Sequence, residues 1–229
     1  MKNWLLLTCL ALVMPSCADG DIRIAGPFVS STGAGGSGST ETVMMGLGPL
    51  PYREFADSPF AMGTPTVYFY LEDFEDKLLN TPGVAQKNGV ISSSYGYPKL
   101  VDSVDGDDQD LANDACSGCD AFFNHDGPQG LEFTFDEAVL PQLPTHVGIV
   151  FTDAGVGADA IFTAYDALGN ALMLVAPGIA DQTYDTSCGE DRFFGVIASK
   201  GVKRIWLRTS GGGIEADHLQ YGADSSFGG

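Results

Sequence analysis

Five carboxylates on two short runs are the residues whose types and spacing first point to chemistry. Glu72, Asp73, Glu75 and Asp76 follow the apolar run Thr66–Leu71, and Asp217 lies in the last such run, Glu215–Tyr221. Calcium takes about six to eight oxygens at about 2.3–2.6 Å, from carboxylates and backbone carbonyls. If the two runs are neighbouring strands, Glu72, Asp73, Glu75 and Asp217 could share one structural calcium ion. A second oxygen-rich run, Asp102, Asp105, Asp107, Asp108 and Asp110, surrounds Gly106. It lacks the ligand spacing and closing Glu of an EF-hand loop. The plain alternative for both runs is a set of solvated strand-end and loop carboxylates.

Cysteine offers a second chemistry. Cys116 and Cys119 are two residues apart from being neighbours, and Cys188 stands alone downstream. In an exported chain the default is a disulfide. A Cys116–Cys119 ring is worth roughly 2 kcal/mol in the chain-entropy treatment, and a bridge to Cys188 roughly 4. The local pair is always close and forms more readily, so Cys116–Cys119 is the expected bridge. A zinc site would need all three thiolates and a histidine such as His125. Redox catalysis would need a βαβ setting that is missing here.

Histidines are few. His146 opens a strand-like run beside Thr145, and His218 adjoins Asp217. There is no Gly-x-Ser-x-Gly elbow and no His-Glu-x-x-His, so a histidine in one structural hydrogen bond is the expected role. Paired carboxylates could cleave a glycoside. With 30 acidic residues in the chain, however, finding a pair carries little information. Glu190 and Asp191 precede Arg192 and suggest an ion pair at a strand entrance.

The third chemistry is recognition. In Lys203–Thr209, Ile205 and Leu207 alternate with Arg204, Trp206 and Arg208. A period of two sends the first pair to a core and the second set to the opposite face. An aromatic ring beside polar groups can stack on the apolar side of a pyranose while the polar groups take its hydroxyls. The alternative is a ring covered by a loop and by arginine through cation–π contact.

These residues need strands to position them, and the composition supplies strands. Hydrophobic residues make up 44% of the chain, charged residues only 18%, and there are 30 Gly. That mix suits an all-β protein with many turns. Eight short runs rich in Val, Ile, Phe and Tyr read as strands: Thr66–Leu71, Leu131–Asp136, Val147–Thr152, Ala160–Tyr165, Ala171–Val175, Phe193–Ala198, Lys203–Thr209 and Glu215–Tyr221. Asp166–Asn170 reads as a hairpin turn. No amphipathic helix of ten residues is visible, and Lys77–Leu79 offers one short turn at most. The expected fold is a two-sheet antiparallel β-sandwich in jelly-roll style, with Thr66–Leu71 and Glu215–Tyr221 as first and last strands.

Residues 1–18 read as an export signal: Lys2 is basic, and Leu5–Met14 is apolar but too short to span a bilayer. Ser16 and Ala18 suit ordinary cleavage before Asp19, while Cys17 suits lipidation as a lipoprotein, and the two readings stay open. Residues 19–54 read as a flexible linker, rich in Gly and Ser over Gly26–Gly48. The sandwich is expected over residues 55–223, with a tail at 224–229. The net charge is −19, and 18 Asp and Glu with no Lys or Arg lie between Lys99 and Arg192. Such a field repels nucleic acid and anionic lipid headgroups. Membrane contact is then expected only through a lipid at Cys17.

Taken together, Leu71–Asp76, Asp102–Asp108, Leu143–Asp153, Glu190–Val196 and Asp217–Gly222 form an ordered signature. Over about 56–222 the chain resembles a group of exported bacterial proteins found among PEP-CTERM sorting-domain proteins. That group is similar to carbohydrate-binding β-sandwiches, which commonly hold a structural calcium between first and last strands. The resemblance implies an ion near Leu71–Asp76 and Asp217. It stops short of the sorting signal, because the chain ends Ser225–Gly229 without the Pro-Glu-Pro and basic tail, and the cysteines lie outside the pattern. The expected function is a non-catalytic, monomeric, exported module that binds extracellular polysaccharide or serves the cell surface or matrix. A glycan hydrolase with paired carboxylates and a purely structural surface protein are the alternatives.

Overall fold

Period-two alternation leaves each strand with one side for the core, and two sheets facing each other are the simplest way to bury those sides. The computed structural model describes residues 42–96, 99–104, 120–180 and 189–225. Their strands are β1 (Met44–Pro51), β2 (Tyr68–Glu72), β3 (Val84–Lys87), β4 (Val90–Ser92), β5 (Ser94–Gly96), β6 (Lys99–Leu100) and β7 (Ala121–Asn124). The second half contributes β8 (Leu131–Phe135), β9 (His146–Ala154), β10 (Ala160–Asp166), β11 (Ala171–Ala176), β12 (Arg192–Ala198), β13 (Val202–Thr209) and β14 (Ile214–Ala223).

The first sheet has seven strands in the order β1-β12-β9-β14-β7-β4, with β2 also paired to β14. The second has five, in the order β11-β10-β13-β8-β3, and β5 pairs with β6 alone. The pairings are antiparallel throughout. The all-β sandwich expected from the sequence is therefore the observed fold. Among the described residues there is a 3-10 turn at Phe55–Asp57 and no α-helix.

The eight expected strands are present, with ends displaced by one or two residues. The structure adds strands that composition hid. The clearest is β1, which lies inside the stretch read as flexible linker. It pairs with β12 from Met44↔Ala198 to Pro51↔Arg192 and is the edge of the seven-stranded sheet. Met44 is buried in the main core, and Leu47 and Leu50 pack on the outer side of the sheet. Gly46 lets β1 approach the second sheet: a Cβ there would sit 2.7 Å from Leu174 Cδ2. At Gly46 the missing Cβ serves close packing.

The two sheets differ in how they are covered. Every residue of β9 and β14 is buried. Their inner residues, such as Ile149, Phe151, Ala216, Leu219 and Tyr221, join the main core. On their outer side Val150, with Phe193 of β12, is covered by Tyr52, Phe60 and Val104 in a second apolar cluster. The five-stranded sheet keeps the alternation instead. β8 and β13 alternate buried and half-buried positions, and β11 alternates exposed and buried ones. Its outer face therefore meets solvent.

Candidate functional site

Register decides the fate of the expected calcium set. β2 and β14 are neighbours, as the sequence suggested, with Glu72 opposite Leu219 and Tyr70 opposite Tyr221. Residues directly opposite share a face. Leu219 and Tyr221 belong to the main core, so Glu72 lies on the inner side. A bulge at His218, whose φ is 46°, shifts the register just before Leu219. Asp217 consequently lies on the outer side, opposite Val150 of the outer cluster.

Each carboxylate also has its own work. Glu72 Oε2 accepts from Asn80 N, Thr81 N and Thr81 Oγ1, each at 3.0 Å, and Oε1 accepts from Phe74 N at 3.4 Å. Asp217 Oδ2 accepts from Ser103 Oγ at 3.1 Å and Val104 N at 3.0 Å, and Oδ1 from His218 N at 2.6 Å. Asp73 is exposed and accepts from Glu75 N, and Glu75 accepts from Asp120 N at 3.1 Å. Glu72 and Asp217 therefore lie on opposite sides of the sheet, and Asp73 is exposed. Among the described residues no three His, Cys, Asp or Glu side chains gather for a metal.

The acidic residues under the roof act as anchors. Val101–Val104 crosses the outer side of the seven-stranded sheet. Asp102 N donates to Glu215 Oε2, and Thr152 Oγ1 donates to the Asp102 carbonyl at 2.9 Å. Burial pushes the Glu215 carboxyl up to about 8, against the lowering effect of the Asp102 N–H, and nearby Asp153 adds to the rise. Glu215, Asp153 and Asp102 are all buried. Beside it, His218 Nδ1 meets Tyr52 Oη at 2.9 Å, Gln220 Nε2 donates to the same hydroxyl at 3.0 Å, and Ser58 Oγ donates to Gln220 Oε1. This network pins the 52–60 segment to β14. Nothing in the sequence placed Gln220 beside Tyr52 and Ser58, which lie 168 and 162 residues before it.

The solvent-facing side of the five-stranded sheet holds the other expected residues. Cross-strand register sets Met173, Thr163, Trp206, Glu132 and Lys87 in one row. Ala171, Tyr165, Arg204 and Thr134 form the row on one side, and Val175, Ile161 and Arg208 the row on the other. Trp206 stands near the middle, half-buried, and its Nε1 donates to the Gln129 carbonyl at 2.8 Å. Arg208 lies over the indole, 4.8 Å from its centroid. Arg204 turns instead to Glu132, at 2.6 Å, and stacks 3.9 Å from the Tyr165 ring. The structure thus brings Arg204, Trp206 and Arg208 onto one face, but only Arg208 stacks on the tryptophan. Met173 is 57% and Val175 43% exposed, which makes the face apolar at the β11 edge.

Other expectations fall elsewhere. Cys17, Cys116, Cys119 and Cys188 lie outside the described residues, as do Asp105, Asp107, Asp108 and Asp110. His146 is buried with its Nδ1 at 2.9 Å from Thr145 Oγ1, and burial lowers its pKa. His125 packs edge-on against Phe123. Arg192 Nη1 donates to the carbonyls of Gly189 and Asp191 at 3.0 and 2.7 Å, so it holds its strand entrance through backbone oxygens. A cleft of about 480 Å³ opens between the edge strands β3 and β4, lined by Lys77, Leu79, Val84, Ile91 and Phe122 among others. Lys77 and Gln86 are among its polar side chains.

The chain matches no protein-family model and no curated protein sequence. Among solved structures it is similar to "CBM35 from Cellvibrio japonicus Abf62", with a TM-score of 0.39 and 11% identity, over 69% of this chain and 95% of that one. It is also similar to a structure described as TmCBM61 in complex with β-1,4-galactotriose, with a TM-score of 0.29 and 13% identity, over 65% of this chain and 93% of that one. At those scores neither carries a residue role over to this chain.

Proposed function

We propose that this chain is an exported, non-catalytic glycan-binding module whose ligand lies on the outer face of the five-stranded sheet. The observation that supports this reading is the make-up of that face. A half-buried tryptophan sits among Ile161, Thr163 and Met173 and is bordered by two arginines and a glutamate. Aromatic and aliphatic surface can cover the apolar side of a sugar ring, and the flanking charged groups can take hydroxyls. Among the described residues, Tyr52 and Phe60 cover Val150 and Phe193 on the outer side of the opposite sheet. Export is supported by the basic and apolar order of residues 1–18, with Cys17 as the residue for a lipid anchor. The ligand class is extracellular polysaccharide.

Retardation in gels containing a panel of soluble polysaccharides tests the reading. The wild-type chain is expected to be slowed by at least one polymer. Trp206→Ala and Met173→Asp should abolish that shift, while Met62→Ser, at an exposed residue beside the Phe60 cluster on the other sheet, should keep it. Retardation that Trp206→Ala leaves intact would place the site elsewhere.

A further inference from the structure

We infer that the ligand is an acidic glycan, a largely neutral polysaccharide bearing spaced uronic acids, and that Arg208 takes a uronate carboxylate beside Trp206. The inference rests on the glycan-binding reading above and deepens it. The chain carries 30 acidic residues against 11 basic ones, so a surface cation has no shortage of carboxylates to pair with. On this same face Glu132 pairs with Arg204 at 2.6 Å and with Lys87 at 4.0 Å. Arg208 belongs to none of the ion pairs among the described residues. Its Nε is buried and lacks a hydrogen-bond partner.

Its surroundings hold it in that state. Arg208 faces Ile161 across the strand pair, and Val175 continues the same row. On the other side stands Gly130, with a φ of 66°. A Cβ at Gly130 would come within 2.6 Å of Arg208 Cβ and 2.9 Å of Trp206 Nε1. Glycine there leaves the indole and the guanidinium side by side, with no acidic side chain at that position. A guanidinium stacked on an aromatic ring keeps its planar donors in a fixed plane, the arrangement that pairs with a carboxylate through two hydrogen bonds. One fixed cation at the edge of an aromatic and aliphatic strip matches one carboxylate on a sugar ring that stacks on the strip. The net charge of −19 opposes a densely charged polymer, but at physiological salt that repulsion fades beyond about 8 Å. Spaced uronates on a neutral backbone satisfy both conditions.

The test compares glucuronic-acid-branched xylan and hyaluronan with the same polymers after carboxyl reduction, using the full chain. Wild type is expected to bind an acidic polymer about tenfold more tightly than its reduced form. Arg208→Met keeps the aliphatic stem over the indole and should bring the two forms to equal affinity. Arg208→Lys should recover part of the difference. Arg53→Met, which removes the same charge far from this face, should leave the preference intact. Equal binding of the acidic and reduced forms by wild type would overturn the acidic-ligand inference while leaving the glycan reading in place. Failure to bind any of these polymers, acidic or reduced, and any member of the soluble panel would overturn both.

Discussion

Single residues in this fold carry unusually clear electrostatic and steric duties. Glu215 is the best case for charge. Its folded-state pKa of about 8 lies above the ordinary carboxylate value of 4.5. Over that window the folded chain holds a proton that the unfolded chain has released. Its contribution to stability is therefore complete below about pH 4.5 and is lost as pH rises through about 8. Glu215→Gln stays neutral at every pH, so its melting temperature should gain on wild type between about pH 5 and pH 8. Melting curves with a constant difference across that range would contradict the assignment. Gly148 is the best case for shape. It pairs with Gly195 across β9 and β12, and a Cβ at Gly148 would collide with the fully buried Phe193 ring that lies over both glycines. Gly148→Ala should cost about 1–3 kcal/mol in chemical denaturation, as overpacking does. A change below about 0.5 kcal/mol would mean that the ring has room to move.

At the scale of elements, the loop after β2 is organised by one carboxylate. Glu72 gathers Phe74 N, Asn80 N, Thr81 N and the Thr81 hydroxyl, which closes the 73–81 segment back onto its own strand. Glu72→Ala would strand those donors and should cost about 1–3 kcal/mol. The loss should be the same in calcium and in chelator, because protein donors already satisfy the carboxylate. A chelator-induced fall in wild-type melting temperature that Glu72→Ala removes would place an ion in this loop after all. The sequence made the adjacency of β2 and β14 legible, because both runs are apolar, bounded and acidic at their ends. It could not reveal that a bulge at His218 turns Asp217 to the other face, since a one-residue shift inverts every side chain. The strand β1 was hidden for a related reason. Its Met-Met-Gly-Leu-Gly-Pro-Leu-Pro sequence has weak alternation and two prolines, features suited to a sheet edge. Its amides paired with β12 should exchange slowly with deuterium, and exchange as fast as an unstructured peptide would contradict the pairing.

At the scale of the whole molecule, the central fact is asymmetry. In one sheet the central strands β9 and β14 are covered on both sides, by the core within and by segments 52–60 and 101–104 without. The other is sealed on one side only, and its free face carries Trp206 with Arg204, Arg208, Ile161 and Met173. The alternation in Lys203–Thr209 exposed this face in the sequence, because a regular strand needs only period two to be read correctly. Which arginine would stack on the tryptophan was not legible, because Glu132 on the neighbouring strand draws Arg204 away. The most direct test uses that tryptophan as its own reporter. The full chain has two tryptophans, Trp4 and Trp206, so Trp4→Phe leaves Trp206 alone. Its emission is followed, with and without acrylamide, as a retarding polysaccharide is added. If the ligand lies on the five-stranded sheet, the emission should shift to the blue and acrylamide quenching should fall as the polymer saturates. Saturation seen by retardation, with Trp206 emission and quenching both unchanged, would contradict the placement of the binding site on this face.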